Sequence, residues 1–120
     1  MSETEYRKAV IDHYENPRNL EKLEEFDFRG SSTNDLCGDI VGIKIDQKEE
    51  VVEEVSINLD GCVVCKAFAS MFSQKIKGEK ISEMRELDEE GFFEIVGFYP
   101  REVRKKCSMV VFHAFKNCFD

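Results

Sequence analysis

The sequence predicts an α+β domain in which a small antiparallel sheet packs against helices. Three observations predict it. A helix-period stripe opens the chain, two period-2 runs joined by a short polar turn follow, and further helical stripes close it. A length of 120 residues suits one domain. Residues 1–120 show no repeat, low-complexity tract or Pro/Gly/Ser linker, so a single domain is expected.

Residues 4–15 read as a helix, because Tyr6, Ala9, Val10, His13 and Tyr14 fall on one stripe. Thr4 is placed to cap it, and Asn16-Pro17 ends it, since the residue before proline avoids the helical region. Residues 18–36 read as extended or irregular, with Gly30 to Asp35 a mobile loop. Val41, Ile43 and Ile45 alternate with polar or small neighbours, as do Val55, Ile57 and Leu59, giving two half-buried strands. Gln47-Lys48-Glu49-Glu50 suits the turn between them, and Asp60-Gly61 breaks the second. A helix is expected from Val63 to Lys77, with Val64, Ala67, Phe68, Met71, Phe72, Lys75 and Ile76 on its buried side and Gly78 as its stop. A short helix is expected over Ser82–Leu87, capped by Ser82, and another piece over Phe92–Val96. Pro100 can open the last helix. There Val103, Cys107, Val110, Val111, Ala114 and Cys118 form one apolar stripe.

Composition excludes several functions. Seventeen basic residues against twenty-five acidic ones give a net charge of −8. A nucleic-acid binder would show a dominant basic footprint, and an anionic membrane would repel such a chain. No apolar run is long enough to span a bilayer. The opening Met1-Ser2-Glu3-Thr4-Glu5 is acidic and lacks the apolar stretch of a secretory signal, so a cytoplasmic location is expected.

The five cysteines, at 37, 62, 65, 107 and 118, are then the main chemical clue. A reducing cytosol disfavours structural disulfides. Core packing, metal binding and thiol chemistry remain. Cys37-Gly38-Asp39 precedes the first clear strand. Gly61-Cys62 stands between a strand and a helix N-terminus, where the macrodipole favours a thiolate. Cys107 lies in the first turns of the last helix, beside Arg101, Arg104, Lys105 and Lys106. Element ends are where distant parts of a chain converge. Three thiolates and one carboxylate there make a ligand set for a thiophilic metal or an iron–sulfur cluster.

Asp12-His13-Tyr14-Glu15-Asn16-Pro17-Arg18-Asn19 resembles the N-terminal signature of the IscU/SufU/NifU family of iron–sulfur cluster scaffolds. Cys37-Gly38-Asp39, Asp60-Gly61-Cys62 and Lys106-Cys107-Ser108 resemble that family's three ligand motifs, in order and in register. Ala67-Phe68-Ala69-Ser70 resembles the small-residue helix after its second cysteine. The resemblance covers nearly the whole chain. It implies a three-stranded sheet with helices packed on it, and Cys37, Asp39, Cys62 and Cys107 as ligands. It also implies a scaffold rather than a classical enzyme. Such a scaffold takes sulfur from a cysteine desulfurase and iron from a donor, builds a [2Fe–2S] cluster, and passes it to apo-proteins. The alternative within the same resemblance is a SufU-like zinc-dependent sulfur acceptor. Lys106, where many IscU proteins carry histidine, is similar to the SufU branch. The stretch between Cys62 and Cys107 lacks the insertion typical of that branch, however. The Leu-Pro-Pro-Val-Lys motif that recruits an Hsp70-type chaperone is replaced by Tyr99-Pro100-Arg101-Glu102-Val103. Self-association stays open.

The remaining residues have simpler explanations beside functional ones. Cys65 forms a C-x-x-C with Cys62 and is either an auxiliary sulfur-relay thiol or a small buried residue. With Cys107 and Lys106 it completes the set of sulfur-acceptor candidates. Cys118 reads as core, His13 as a packed hydrogen-bonded histidine, His113 as surface, and Glu83, Glu86, Asp88, Glu89, Glu90 and Glu94 as a solvated face.

Overall fold

The computed structural model describes residues 3–34, 38–97, 99 and 102–120, with only the backbone at 3, 6 and 102–104. The elements are α1 (Glu3–Glu15), β1 (Phe28–Asn34), β2 (Asp39–Lys48), β3 (Val51–Asp60), α2 (Val63–Ile76), α3 (Ile81–Arg85), α4 (Glu89–Val96) and α5 (Glu102–Asn117). The strands form one antiparallel sheet in the order β1-β2-β3. The expected α+β layering is what the structure shows.

The two expected strands are longer than the sequence pattern indicated. Their inward positions are in register, with Ile43 opposite Ile57 and Ile45 opposite Val55. Those side chains meet α2 and α5 in a core rich in phenylalanine. Phe72 packs edge-on against Phe92 and Phe115, with centroids 4.9 and 4.8 Å apart. Such edge contacts add to area burial. On the far side, the edge of β3 is covered by the segment after α1. The Ile57 N–H donates to the Asn19 carbonyl, and the Ser56 hydroxyl to the Glu21 carbonyl.

β1 corrects the expectation of a mobile loop over residues 30–34, while Asp35 lies outside the described residues. Phe-Arg-Gly-Ser-Ser-Thr-Asn offers no apolar alternation because its inward side lies against the backbone of α5. A Cβ at Gly30 would come within 2.4 Å of the Ala114 carbonyl oxygen and the Cys118 nitrogen. Asn117 Nδ2 donates to the Ser31 carbonyl, tying the strand to the end of α5. Glycine and serine here permit close packing, where the sequence reading took them for flexibility.

Smaller corrections have local causes. Among the described residues α1 already includes Glu3, so Thr4 is inside it. α2 ends one residue early, at Ile76, and Lys75 is exposed, while Gly78 takes the expected left-handed φ of 91°. α2 is buried on more than one side because α1, α4, α5 and β3 all pack on it. α3 begins at Ile81 with Lys80 in the cap position and no side-chain cap, so Ser82 does not cap it. Its start is held instead by the Ile81 N–H donating to the Glu50 carbonyl. α4 begins at Glu89 because Asp88 caps it, accepting from the Gly91 N–H at 2.7 Å. Asp88 thus does more than solvate a face. The opening of α5 at Pro100 lies outside the described residues.

His13 meets the packed reading. Its Nδ1 and the Ser70 hydroxyl share a 2.7 Å hydrogen bond between α1 and α2. Burial lowers the His13 pKa below its ordinary 6.5, and the Arg18 guanidinium adds to this. A histidine held neutral stabilises the fold fully above its ordinary pKa and loses that contribution as pH falls through the lowered folded value. Stability measured by denaturant should therefore decline from about pH 7 to about pH 5, and His13→Gln should flatten that part of the profile. An unchanged slope would place the proton uptake elsewhere.

The β2–β3 turn carries strain. Glu49 and Glu50 both have positive φ, 55° and 64°, as a two-residue hairpin turn of this hand requires. Glutamate is poorly suited to that region, whereas Asn-Gly adopts it readily. Replacing the pair by Asn-Gly should raise stability by about 1 kcal/mol, read as a higher denaturant midpoint with an unchanged m-value. A lower midpoint would contradict the strain.

Candidate metal centre

Three of the four expected ligand residues converge at one end of the sheet. Asp39 is the first residue of β2, set by Gly38 at φ 73°. Cys62 caps α2, and Cys107 sits in the second turn of α5. The Asp39 carboxylate and the Cys62 and Cys107 sulfurs lie within 4.8 Å of one another. Cys37 lies outside the described residues.

The Asp39 carboxylate is the notable group. It is 1% exposed. Its Oδ1 accepts from the Cys62 N–H at 2.9 Å. Its Oδ2 is buried with no hydrogen-bond partner among the described residues. A buried carboxylate oxygen without a partner costs several kcal/mol, which a cation at that point would offset. The donor set of one hard oxygen and two soft sulfurs suits zinc or iron rather than calcium or magnesium.

Gly61 makes the approach of Asp39 feasible. A Cβ there would fall 2.8 Å from Asp39 Oδ1 and 3.3 Å from its Cγ. The sequence reading saw Gly61 only as a strand breaker. Its signal was the placement directly before Cys62, where the strand end must pass close to the carboxylate. The residues flanking the ligands are also informative: Ile40 is 52% exposed and Val63 45% exposed. They give the site an apolar rim, and Ile40 could have been read from the outward phase of its strand.

The other cysteines separate from the site. Cys62 Sγ accepts from the Cys65 N–H at 3.4 Å, so Cys65 is close in the chain, yet its own side chain is fully buried. Burial, then the nearby Asp39, Cys62 and Cys107, push the Cys65 thiol up to about 12. Burial likewise pushes Cys118 up to about 12, and its sulfur lies 3.7 Å from the Ile43 carbonyl. Both match the core reading. The basic set is only partly described. Lys105 pairs with Glu89 at 2.7 Å. Lys106 is exposed beside a cavity of about 430 Å³ that it shares with Thr33 and His113. His113 is exposed, as expected. Among the described residues, no helix is long and apolar enough to cross a membrane.

Comparison with known proteins shows what the chain is similar to. The family model described as "NifU-like N terminal domain" matches residues 5–119. An iron-sulfur cluster assembly scaffold protein IscU of Archaeoglobus fulgidus is 32% identical over 111 residues, covering 92% of this chain and 72% of that protein. The zinc-dependent sulfurtransferase SufU of Bacillus subtilis is 35% identical over 79 residues, covering 66% of this chain and 53% of that protein. Among solved structures, an N-terminal NifU-like protein from Brucella abortus superposes with a TM-score of 0.73. It covers 95% of this chain and 91% of that one at 21% identity, a likeness of fold. The match over residues 5–119, with the 32% identity to the archaeal protein over 92% of this chain, places this chain in the NifU-like N-terminal domain family.

Proposed function

We propose that the chain is a scaffold on which a [2Fe–2S] cluster is assembled and from which it is handed on, with Cys37, Asp39, Cys62 and Cys107 as ligands. The observation that carries this reading is the Asp39 carboxylate, which lies within 4.8 Å of two thiol sulfurs and keeps a buried Oδ2 with no hydrogen-bond partner among the described residues. The IscU name of the archaeal relative supports it. The cluster is cargo here. The partners are a cysteine desulfurase, an iron donor and apo-acceptors. Sulfur arrives when a scaffold thiolate attacks the outer sulfur of the desulfurase persulfide. The S–S bond breaks, the donor thiolate leaves, and the scaffold carries the persulfide. Each sulfane sulfur then takes two electrons from an external donor to become sulfide. Among the described thiols Cys62 is half-buried, while Cys65 and Cys107 are buried. Access therefore favours Cys62 over Cys107 as first acceptor, and Cys65 is the poorest of the three.

The second reading is a zinc-dependent sulfur acceptor using the same ligands. The Bacillus relative supports it, and one oxygen with thiolates is as suited to zinc as to iron. Metal analysis and visible absorbance of protein isolated without oxygen separate the two. A coloured protein with equimolar iron and sulfide supports the scaffold, and a colourless one holding stoichiometric zinc supports the sulfur acceptor.

Single serine substitutions at Cys37, Cys62 and Cys107 should each abolish stable loading in anaerobic reconstitution, while Cys65→Ser and Cys118→Ser should load normally. Asp39→Ala should still load, because three thiolates remain, but should release its cluster to an apo-ferredoxin more slowly. A hard oxygen holds iron less firmly than sulfur and is the natural corner to leave. Poor loading with faster loss would make Asp39 a structural ligand only.

Gly61→Ala tests the positioning of that corner. The added methyl must displace the carboxylate, so zinc affinity should fall by about 10- to 100-fold, as when outer-shell support is lost. Unchanged affinity by competition with a chromophoric chelator would remove Gly61 from the site.

A further inference from the structure

The face of the sheet turned away from α2 and α5 carries a second feature, separate from the cysteines. A groove of about 650 Å³ lies between this face and the covering segment at 20–23. Strand register builds its floor. One rung places Arg29 beside Lys44 and Lys44 beside Ser56; the next places Ser31, Gly42 and Asn58 side by side. Lys22 joins from the covering segment, whose Leu20 and Leu23 give an apolar wall.

The charge of this groove opposes that of the chain. Acids outnumber bases by 25 to 17 overall, yet the lining includes Lys22, Arg29 and Lys44 and no Asp or Glu. Glu21 lies on the same covering segment, and Glu24 and Glu25 directly after it, all three outside the lining. The ion pairs among the described residues do not engage these three cations. Lys44 Nζ sits 4.8 Å from the Phe26 ring centroid, an arrangement that orients the cation without neutralising it. Gly42 keeps the floor open. A Cβ there would meet the Asn58 carbonyl oxygen at an ordinary 3.6 Å, and the glycine does not have positive φ. The backbone therefore does not require glycine, and a larger side chain would fill the groove.

We propose that this groove binds a phosphate-bearing small molecule of nucleotide size. Arginine offers a planar fork to phosphoryl oxygens, and lysine adds a point charge. Hydroxyl and amide donors from Ser31 and Asn58 complete the floor, the Ser56 hydroxyl being already committed to the Glu21 carbonyl. The volume lies in the range of small-molecule pockets, roughly 300–1,000 Å³. The leucine wall suits the uncharged body of such a ligand.

The test is titration of the full chain with ADP, inorganic phosphate and adenosine at low salt, followed by calorimetry and amide chemical shifts. ADP should bind saturably, shift the amides of Gly42, Lys44 and Asn58, and bind more tightly than phosphate or adenosine alone. Arg29→Ala should weaken ADP by about tenfold, the loss of one charged hydrogen-bonding partner. Gly42→Leu should abolish binding with little change in melting temperature. Arg29 is exposed, so its variant decides the matter should Gly42→Leu not fold. Equal affinity for ADP and inorganic phosphate, shifts confined to other residues, or full affinity in Arg29→Ala would overturn the proposal.

Discussion

The hydrogen bond from the Cys62 N–H to Asp39 Oδ1 ties the functional end of the molecule together. It joins the first residue of β2 to the junction of β3 and α2, across 2.9 Å. The bond satisfies one carboxylate oxygen and leaves the other without a hydrogen-bond partner among the described residues. A cation at that point would offset its burial, and Gly61 lets the two chain segments come so close. Cys107 reaches the same point only because α5 lies across the sheet, with its backbone seated on Gly30. The core and the site therefore share one set of close approaches, all of them made at glycine.

The proposed cargo reading and the zinc reading use this same arrangement, and they differ in what fills it. An oxygen ligand among thiolates gives unequal corners. A structural zinc site has no use for that inequality, since it is closed and permanent. A site that must take in sulfur and let go of a cluster does have a use for it. The exposed Ile40 and Val63 beside the ligands fit a surface that meets other proteins.

Much of this was legible in the sequence, and the exceptions have a common cause. Period-2 alternation marked Val41–Ile45 and Val55–Leu59, and helix-period stripes marked α2 and α5, because each of these buries a face made of apolar residues; α1 was marked by a stripe that is only half-buried, at Ala9, Val10 and His13, with Tyr14 exposed. β1 has no such face, since its inward side meets backbone, so Gly30 and Ser31 resembled a loop. The starts of α3 and α4 were misplaced for a related reason: one is fixed by a backbone hydrogen bond from another segment, and the other by an aspartate indistinguishable in sequence from its solvated neighbours. At the site, the motifs pointed to Asp39, Cys62 and Cys107, which the structure brings within 4.8 Å of one another. Nothing in the sequence could show that one Asp39 oxygen has no hydrogen-bond partner among the described residues, because that depends on where every other donor sits in three dimensions.

The position of Cys62 as the cap of α2 has a further consequence. Its sulfur accepts the Cys65 N–H, so the first turn of the helix takes its acceptor from a residue of the candidate site itself. Helix starts otherwise leave such amides unpaired. One side chain therefore serves both the helix and the candidate site, so that replacing Cys62 removes the cap of α2 together with a candidate ligand.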